Sequence, residues 1–182
     1  MNKYFKYSLF VFFAISIISC EDEAFQATNQ QSEREDMIIK YVLKERNIDP
    51  DMYKTTESGM YYYYLNEEPT DTVSGSDKFI EIDYKGKFLY GLTFDQGIIE
   101  MQGLTGRTLV DNDSCTALGN SGVIAGWTEA ISILKVNEKA KFFIPSSLAY
   151  GTTGTGGIPG NATLEFDMEI ISSKDTANVV CR

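Results

Sequence analysis

The chemistry open to this sequence is limited first by a missing residue type. Among 182 residues there is no histidine, which excludes Ser-His-Asp and Cys-His catalysis, histidine-containing zinc sites and imidazole pH switches. Acidic residues number 26 against 16 basic ones, for a net charge of −10. A general nucleic-acid binder needs a basic surface. We therefore expect no nucleic-acid partner. Any activity must come from side chains other than histidine.

Two polar segments have ligand-binding compositions but lack the required spacing. The glycine-rich loop at 151–160 has neither the Gly-Lys-Ser/Thr ending of a phosphate-binding P-loop nor the spacing of a dinucleotide-binding motif. Asp111-Asn112-Asp113 starts like a calcium loop, but its sixth position is Thr116 instead of glycine and its twelfth is not glutamate. We interpret both segments as loops and expect neither a metal nor a cofactor.

The first 20 residues have the pattern of an export signal. Lys3 and Lys6 precede an apolar run that is shorter than the roughly 20 residues needed to span a bilayer. The run ends in Ile-Ile-Ser-Cys, which is similar to a bacterial lipobox. We predict lipidation of Cys20 and a lipid anchor on an envelope membrane, on the periplasmic side or at the surface. The alternative is an ordinary signal peptide with a chance cysteine.

The two remaining cysteines are Cys115 and Cys181. Export permits disulfides, and an unpaired exposed thiol is a liability in an oxidising compartment. We predict a bond between these two cysteines. Two unrelated thiols, one buried and one on a frayed end, are the alternative.

Composition and periodicity divide the chain into one helical segment and one larger domain. Ser32 and Glu35 have the spacing of a capping box, and the apolar residues after them recur at helical spacing up to Pro50. We predict a signal peptide at 1–19, an acidic tether at 20–31, a helical extension at 32–57, a main domain at 58–173 and a tail at 174–182. We expect residues 58–173 to fold alone.

The main domain carries the period-two alternation of half-buried strands. Alternating apolar sets are Ile80, Ile82 and Tyr84; Ala140, Phe142 and Ile144; and Leu164, Phe166, Met168 and Ile170. Trp127, Ala130, Ile131 and Leu134 instead form one face of a helix. The pattern predicts an α+β fold with one core, in which an antiparallel sheet with one wet face packs on a helix.

Five sequence blocks occur in an order that resembles a known family. They read IDYKGK at 82–87, GLTFD at 91–95, GVIAGW at 122–127, PSSLAYG at 145–151 and NATLEF at 161–166. In this order they resemble the FK506-binding-protein (FKBP) family of peptidyl-prolyl cis-trans isomerases over about residues 58–173. The layout is also similar to gliding-motility-associated isomerase lipoproteins. The resemblance implies a curved antiparallel sheet of about five strands wrapped around one short helix, here with an extra N-terminal helix.

The resemblance also implies roles for the matched residues. It places Trp127 as the floor of an apolar pocket for a proline ring, with Asp95 and Tyr150 at the rim. The walls would be Tyr84, Phe94, Val123, Ile124 and Phe166. The Ile124 N–H would donate to a substrate carbonyl, and Ala149 and Ile158 would be further substrate-binding residues. The implied partners are proline-containing exported polypeptides, no cofactor is implied, and we expect a monomer.

Residues 96–117 are an apparent insertion relative to the family pattern. The usual apolar residues near its end are replaced by Ser114, Cys115 and Thr116, and Arg107 is the arginine within it that could pair with the rim aspartate. Two functions remain open. The first is an active isomerase that helps exported proteins fold at the envelope membrane. The second is a non-catalytic FKBP-like binding or assembly subunit of an envelope complex.

Overall fold

The computed structural model describes residues 26–66, 78–102, 107–109 and 117–175. Helix α1 covers residues 26–45, helix α2 spans Ala125–Ile133, and a 3-10 turn covers Ser146–Leu148. The strands are β1 (Lys54–Thr55), β2 (Tyr61–Tyr64), β3 (Lys78–Phe88), β4 (Thr93–Gln102), β5 (Arg107–Leu109), β6 (Ala117–Gly122), β7 (Lys139–Ile144) and β8 (Leu164–Asp175). All three cysteines, and with them the predicted lipid anchor and disulfide, lie outside the described residues.

The chain divides into two compact units, residues 1–38 and residues 39–182. The described part of the first unit is the beginning of α1. The second unit contains the rest of α1, the sheet and α2. In the part of the chain that the structure describes, no helix is both long and apolar enough to cross a lipid bilayer.

Helix α1 begins earlier than the sequence predicts. Residues 26–31, predicted as part of a tether, are already helical, so Ser32 is an interior position and the predicted capping box is wrong. The reason is local, since Ala27, Gln30 and Gln31 are good helix formers and extend the helix beyond the polar signal.

Helix α1 also ends earlier than Pro50. Asn47 has a left-handed φ of 55°. Its N–H donates to the carbonyl of Lys44, and the N–H of Ile48 donates to the carbonyl of Leu43, both at 3.0 Å. This pair of bonds is a Schellman motif, which ends a helix by satisfying its last carbonyls. The motif leaves Arg46 at the C-cap.

The strands of the described residues form one eight-stranded sheet, in the order β1-β2-β7-β8-β3-β4-β5-β6. All of the strand pairs are antiparallel, and β3 pairs with β8 over its full length. This agrees with the predicted α+β arrangement, but the strand number exceeds the expected five. One reason is that β5 lies within the predicted insertion at 96–117. Residues 96–102 of the same segment continue β4 and pair with β3.

The main core lies between one face of the sheet and α2. The alternating residues of β3, β7 and β8 point into it, as predicted, and Trp127, Ala130, Ile131 and Leu134 bury the helix face against them. Burying this many large apolar side chains is the dominant favourable term for the fold.

A second buried cluster lies on the opposite face of the sheet, which the sequence predicts to be wet. Ile39 and Leu43 of α1 pack with Tyr61, Tyr63 and Phe143 of β2 and β7. The prediction of a wet face is therefore wrong for these strands, because the end of α1 supplies apolar side chains that cover them.

Candidate active site

A small apolar cavity opens where β3, β4 and β8 meet the beginning of α2. Its volume is about 150 Å³, and its lining is Tyr84, Phe94, Asp95, Ile99, Val123, Ile124, Trp127, Tyr150 and Phe166. That volume equals about five water molecules, which suits one small ring better than a drug-sized ligand. The structure thus brings together all the aromatic and rim residues that the sequence analysis selected.

Three edge-to-face ring contacts build the cavity wall. The Trp127 ring lies 4.8 Å from that of Tyr84 and 5.4 Å from that of Phe166, measured between centroids. Phe94 lies 5.6 Å from Phe166 at an interplanar angle of 86°. Edge-to-face pairs are a favoured aromatic geometry, so the four rings hold each other in place.

Glycine at position 86 makes this ring packing possible. A Cβ atom there would lie 2.7 Å from Cε1 of Phe166 and 2.8 Å from Cε2 of Phe94. Both distances are shorter than ordinary van der Waals contact, so any side chain at Gly86 would displace two cavity walls. Gly86 belongs to the IDYKGK block, but the sequence alone does not predict this role for it.

The polar groups of the site lie at its rim. The Tyr84 hydroxyl donates to Oδ2 of Asp95 at 3.0 Å. Desolvation by burial, together with this hydrogen bond and the negative charge of Asp95, raises the pKa of Tyr84 to about 12. Burial, and then the charge of Asp95, also raises the pKa of Tyr150. Both phenols are therefore neutral at physiological pH.

Helix α2 begins at the cavity. Ile124 is its N-cap residue, and no side chain caps the helix there. The first N–H groups of a helix have no partner within the helix, so backbone donors lie next to the apolar lining. Gly126 allows α2 to pack closely on β7, because a Cβ there would lie 2.4 Å from Cγ2 of Ile144.

Two of the predicted substrate-binding residues are not part of this lining. Ala149 and Ile158 are partly buried and pack against the main core. Ile99 does line the cavity, although it was not predicted to, because the position falls in the apparent insertion. Its alternation with Met101 on β4 is the signal that could have identified it.

A larger cavity, of about 370 Å³, lies beside Asp83, Lys85, Lys139 and Asp167. Four of its eight lining residues carry a charge, and Tyr84 is the one aromatic residue among them. This cavity therefore lacks the cluster of rings that lines the smaller one. The smaller aromatic cavity is therefore the better candidate for an active site.

A family model identifies the family to which the chain belongs. The model for FKBP-type peptidyl-prolyl cis-trans isomerases matches residues 70–171. The chain belongs to this family. The match includes all of β3 to β7 and β8 as far as Ile171, and therefore every residue that lines the cavity. The α+β sheet with its short helix is thus an FKBP-like fold, as predicted, with an additional N-terminal helix.

Individual relatives support the assignment. The chain is 34% identical over 124 residues to the FKBP-type peptidyl-prolyl cis-trans isomerase FkpA of Aeromonas hydrophila, which covers 68% of this chain and 41% of that protein. It is 27% identical to the macrophage infectivity potentiator of Trypanosoma cruzi, over 96% of this chain and 86% of that protein. The chain therefore spans about two-fifths of the length of its FkpA relative.

Solved structures agree with the fold. The crystal structure of FkpA from Escherichia coli has a TM-score of 0.59 and 25% identity, covering 96% of this chain and 74% of that one. A peptidyl-prolyl cis-trans isomerase from Pseudomonas syringae pv. tomato has a TM-score of 0.57 at 22% identity, over 79% of this chain and 96% of that one. The second similarity concerns the fold alone.

Proposed function

We propose that this chain catalyses cis-trans isomerisation of peptide bonds that precede proline. The observation that carries the proposal is the aromatic cavity of about 150 Å³ in a chain of the FKBP-type isomerase family. A proline ring is small and apolar, and the rings of Tyr84, Phe94, Trp127 and Phe166 offer it an apolar, closely packed lining. Proline-containing polypeptides are the substrate class that this lining fits.

The reaction needs no nucleophile. Amide resonance opposes rotation about the bond with a barrier of roughly 20 kcal/mol. Twisting the bond removes the resonance and lowers the dipole of the amide, so a weakly polar cavity disfavours the planar state more than the twisted one. Such a cavity binds the transition state better than the ground state, which is the condition for catalysis.

The rim residues have an orienting role in this proposal. The Asp95 carboxylate accepts a hydrogen bond from the Tyr84 hydroxyl, and this bond holds the carboxylate at the mouth of the cavity. Val123 and Ile124 close the side next to α2, where the Ile124 N–H would donate to the substrate carbonyl. Tyr150, at 38% exposure, offers a neutral hydroxyl at the entrance.

The proposal extends to the location of the chain. The basic and apolar segments before Cys20 support export and lipidation, which would place a monomeric isomerase on an envelope membrane beside newly exported polypeptides. Replacing Cys20 with serine should move the protein from the membrane fraction to the soluble fraction. Unchanged membrane association of that variant would contradict the anchor while leaving the isomerase untouched.

A proline-peptide isomerisation assay tests the activity directly. With the purified chain, we expect the rate of cis-trans relaxation to rise in proportion to protein concentration. Phe94→Ala should lower that rate strongly, because it removes one cavity wall. Tyr53→Ala is the matched control, since Tyr53 is also a partly buried ring but packs on the second cluster.

The assay separates the two functions that the sequence leaves open. A folded chain that does not accelerate relaxation at any concentration is a binding or assembly subunit and contradicts the proposal. Equal losses in the two variants would show that activity follows general stability and not the cavity.

A further inference from the structure

The aromatic wall of the cavity continues to the surface through the β3–β4 hairpin. From Phe94, the ring of Phe88 lies 5.1 Å away, and the ring of Tyr90 lies 5.2 Å beyond that. Tyr90 is 76% exposed and Leu92 is 58% exposed. The rings therefore form an unbroken series from the interior of the cavity to an apolar surface beside it.

The tip of this hairpin is held from several sides. The N–H of Gly91, which has a φ of 95°, donates to the carbonyl of Phe88, and the N–H of Phe88 donates to the carbonyl of Leu92. The side chain of Leu89 packs on the second cluster, and Nη2 of Arg46 donates to the Leu89 carbonyl at 3.1 Å. Exposure of Tyr90 and Leu92 is thus a property of a fixed turn.

Tyr90 is itself positioned despite its exposure. Its ring stacks on that of Phe88 at an interplanar angle of 6°. An exposed ring that is already ordered loses little conformational entropy when it binds a ligand, and such preorganised apolar groups favour affinity.

We propose that Tyr90 and Leu92 form a subsite for an apolar or aromatic side chain of the substrate polypeptide, two or three residues away from the proline. The proposal rests on the function proposed above. The centroid distances place Tyr90 within about 10 Å of Phe94, and an extended chain advances roughly 3.3 Å per residue. The subsite selects unfolded segments, because folded proteins bury most such side chains.

The subsite is tested with a series of peptides that have the same length and contain one proline each. They carry phenylalanine, leucine, alanine or serine at the second or third position on either side of the proline. With the full chain, we expect phenylalanine at one of these positions to raise kcat/KM about three- to tenfold over alanine, the range that one aromatic contact supplies. The increase should come from a lower KM.

The variants assign the preference to the hairpin. Tyr90→Ala should abolish the preference for phenylalanine, Leu92→Ala should reduce it, and Tyr90→Phe should retain it. The readout in each variant is the ratio of kcat/KM for the phenylalanine peptide to kcat/KM for the alanine peptide. Tyr41→Ala is the matched control, because Tyr41 is a comparably exposed ring, at 62%, on α1. A preference that survives Tyr90→Ala in a folded protein overturns the proposal.

Other uses of the surface give different outcomes. If Tyr90→Ala changes only the way that molecular mass in solution depends on protein concentration, the surface contacts a second copy of the chain. If it changes only the cosedimentation of the protein with phosphatidylglycerol vesicles, the surface contacts lipid. Either result overturns the substrate subsite.

Failure of the proposed function can be told apart from failure of the subsite. If the chain isomerises no peptide, the function fails, and binding of the same peptides is followed by the fluorescence of Trp127, the only tryptophan in the sequence. If the phenylalanine peptide then binds more tightly than the alanine peptide, and Tyr90→Ala removes that difference, the subsite is still supported. Equal binding of the two peptides overturns it.

Discussion

Replacing Gly86 with alanine adds a single methyl group behind the two phenylalanine walls of the cavity. That methyl carbon would lie 2.7 Å from the Phe166 ring and 2.8 Å from the Phe94 ring, whereas ordinary contact begins at 3.4 Å. Each ring must therefore retreat by about 0.6 to 0.7 Å, or β3 must shift by a similar amount. The rings have little room, because Phe94 packs edge to face on Phe166, and Phe166 packs edge to face on Trp127.

The expected cost follows from this overlap. Overpacking by one methyl in a close-packed site typically costs about 1–3 kcal/mol. A domain of this size loses about 2–4 °C of Tm per kcal/mol, so we expect Tm to fall by about 2–12 °C. Misplacing substrate-contacting groups by about 1 Å can cost roughly 100-fold in rate, and a smaller displacement of two walls should lower kcat/KM about tenfold.

Gly97→Ala is the matched control for this substitution. Gly97 lies on β4 opposite Tyr84, and the nearest heavy atom to an added Cβ is Cε1 of Tyr84 at an ordinary 3.9 Å. This variant should keep its Tm within a degree or two and retain its activity. Peptide isomerisation is measured well below both Tm values. A folded Gly86→Ala protein with the activity of the Gly97→Ala protein would refute the assignment of the cavity as the active site.

The remaining predictions concern the floor of the cavity, pH and the second cluster. Trp127→Ala should lower isomerisation far more than Asp95→Ala and cost ~3–5 kcal/mol of stability; equal small losses in folded proteins would place the site elsewhere. Activity should be nearly flat between about pH 6 and 8, because Tyr84, whose pKa is about 12, stays neutral and the chain lacks histidine; a bell-shaped profile centred near 7 would contradict this. Burial alone would raise the pKa of Asp167, but its ion pairs with two lysines outweigh burial and lower the pKa from 3.8. The Asp167 carboxylate therefore stabilises the fold above pH 3.8 and loses this contribution as the pH falls further. In thermal unfolding, the Tm of an Asp167→Asn protein should fall less between pH 5 and strong acid than the Tm of the unsubstituted protein. Residues 58–173, predicted from sequence to fold alone, would lack the α1 side chains of the second cluster; we now expect the fragment to melt well below the full chain, and equal Tm values would show that α1 is dispensable.

The sheet and the main core could be predicted from the sequence because each strand carries its own signal. Period-two alternation in β3, β7 and β8 marks the buried face without any knowledge of which strands pair. The site residues Phe94 and Trp127 could be selected because the order of the five blocks is informative. Neither aromatic residue would have been distinguished from ordinary core residues by its type or spacing.

The second cluster could not be predicted in the same way, because it depends on pairing between distant residues. Phe143 and Glu165 fall at positions that alternation assigns to solvent, yet both are buried. Arg46 and Glu165 are 119 residues apart in sequence, and no local pattern links them. The extent of β4 was missed for a different reason, since Ile99 and Met101 do alternate as strand residues but fall in the segment interpreted as an insertion, and they pair with β3.

The two faces of the sheet are connected through β8. Successive side chains of a strand point to opposite faces. Phe166 therefore points to the cavity, whereas its neighbours Glu165 and Asp167 point to the outer face. Nη1 of Arg46 donates to Glu165 at 2.7 Å, and Lys141 pairs with both carboxylates.

The Glu165 side chain is only 3% exposed, and a buried charge depends on its ion-pair partners for stability. The backbone around Phe166 is therefore held by charges on the face opposite the cavity. The end of α1 belongs to the support of the cavity even though none of its residues lines it.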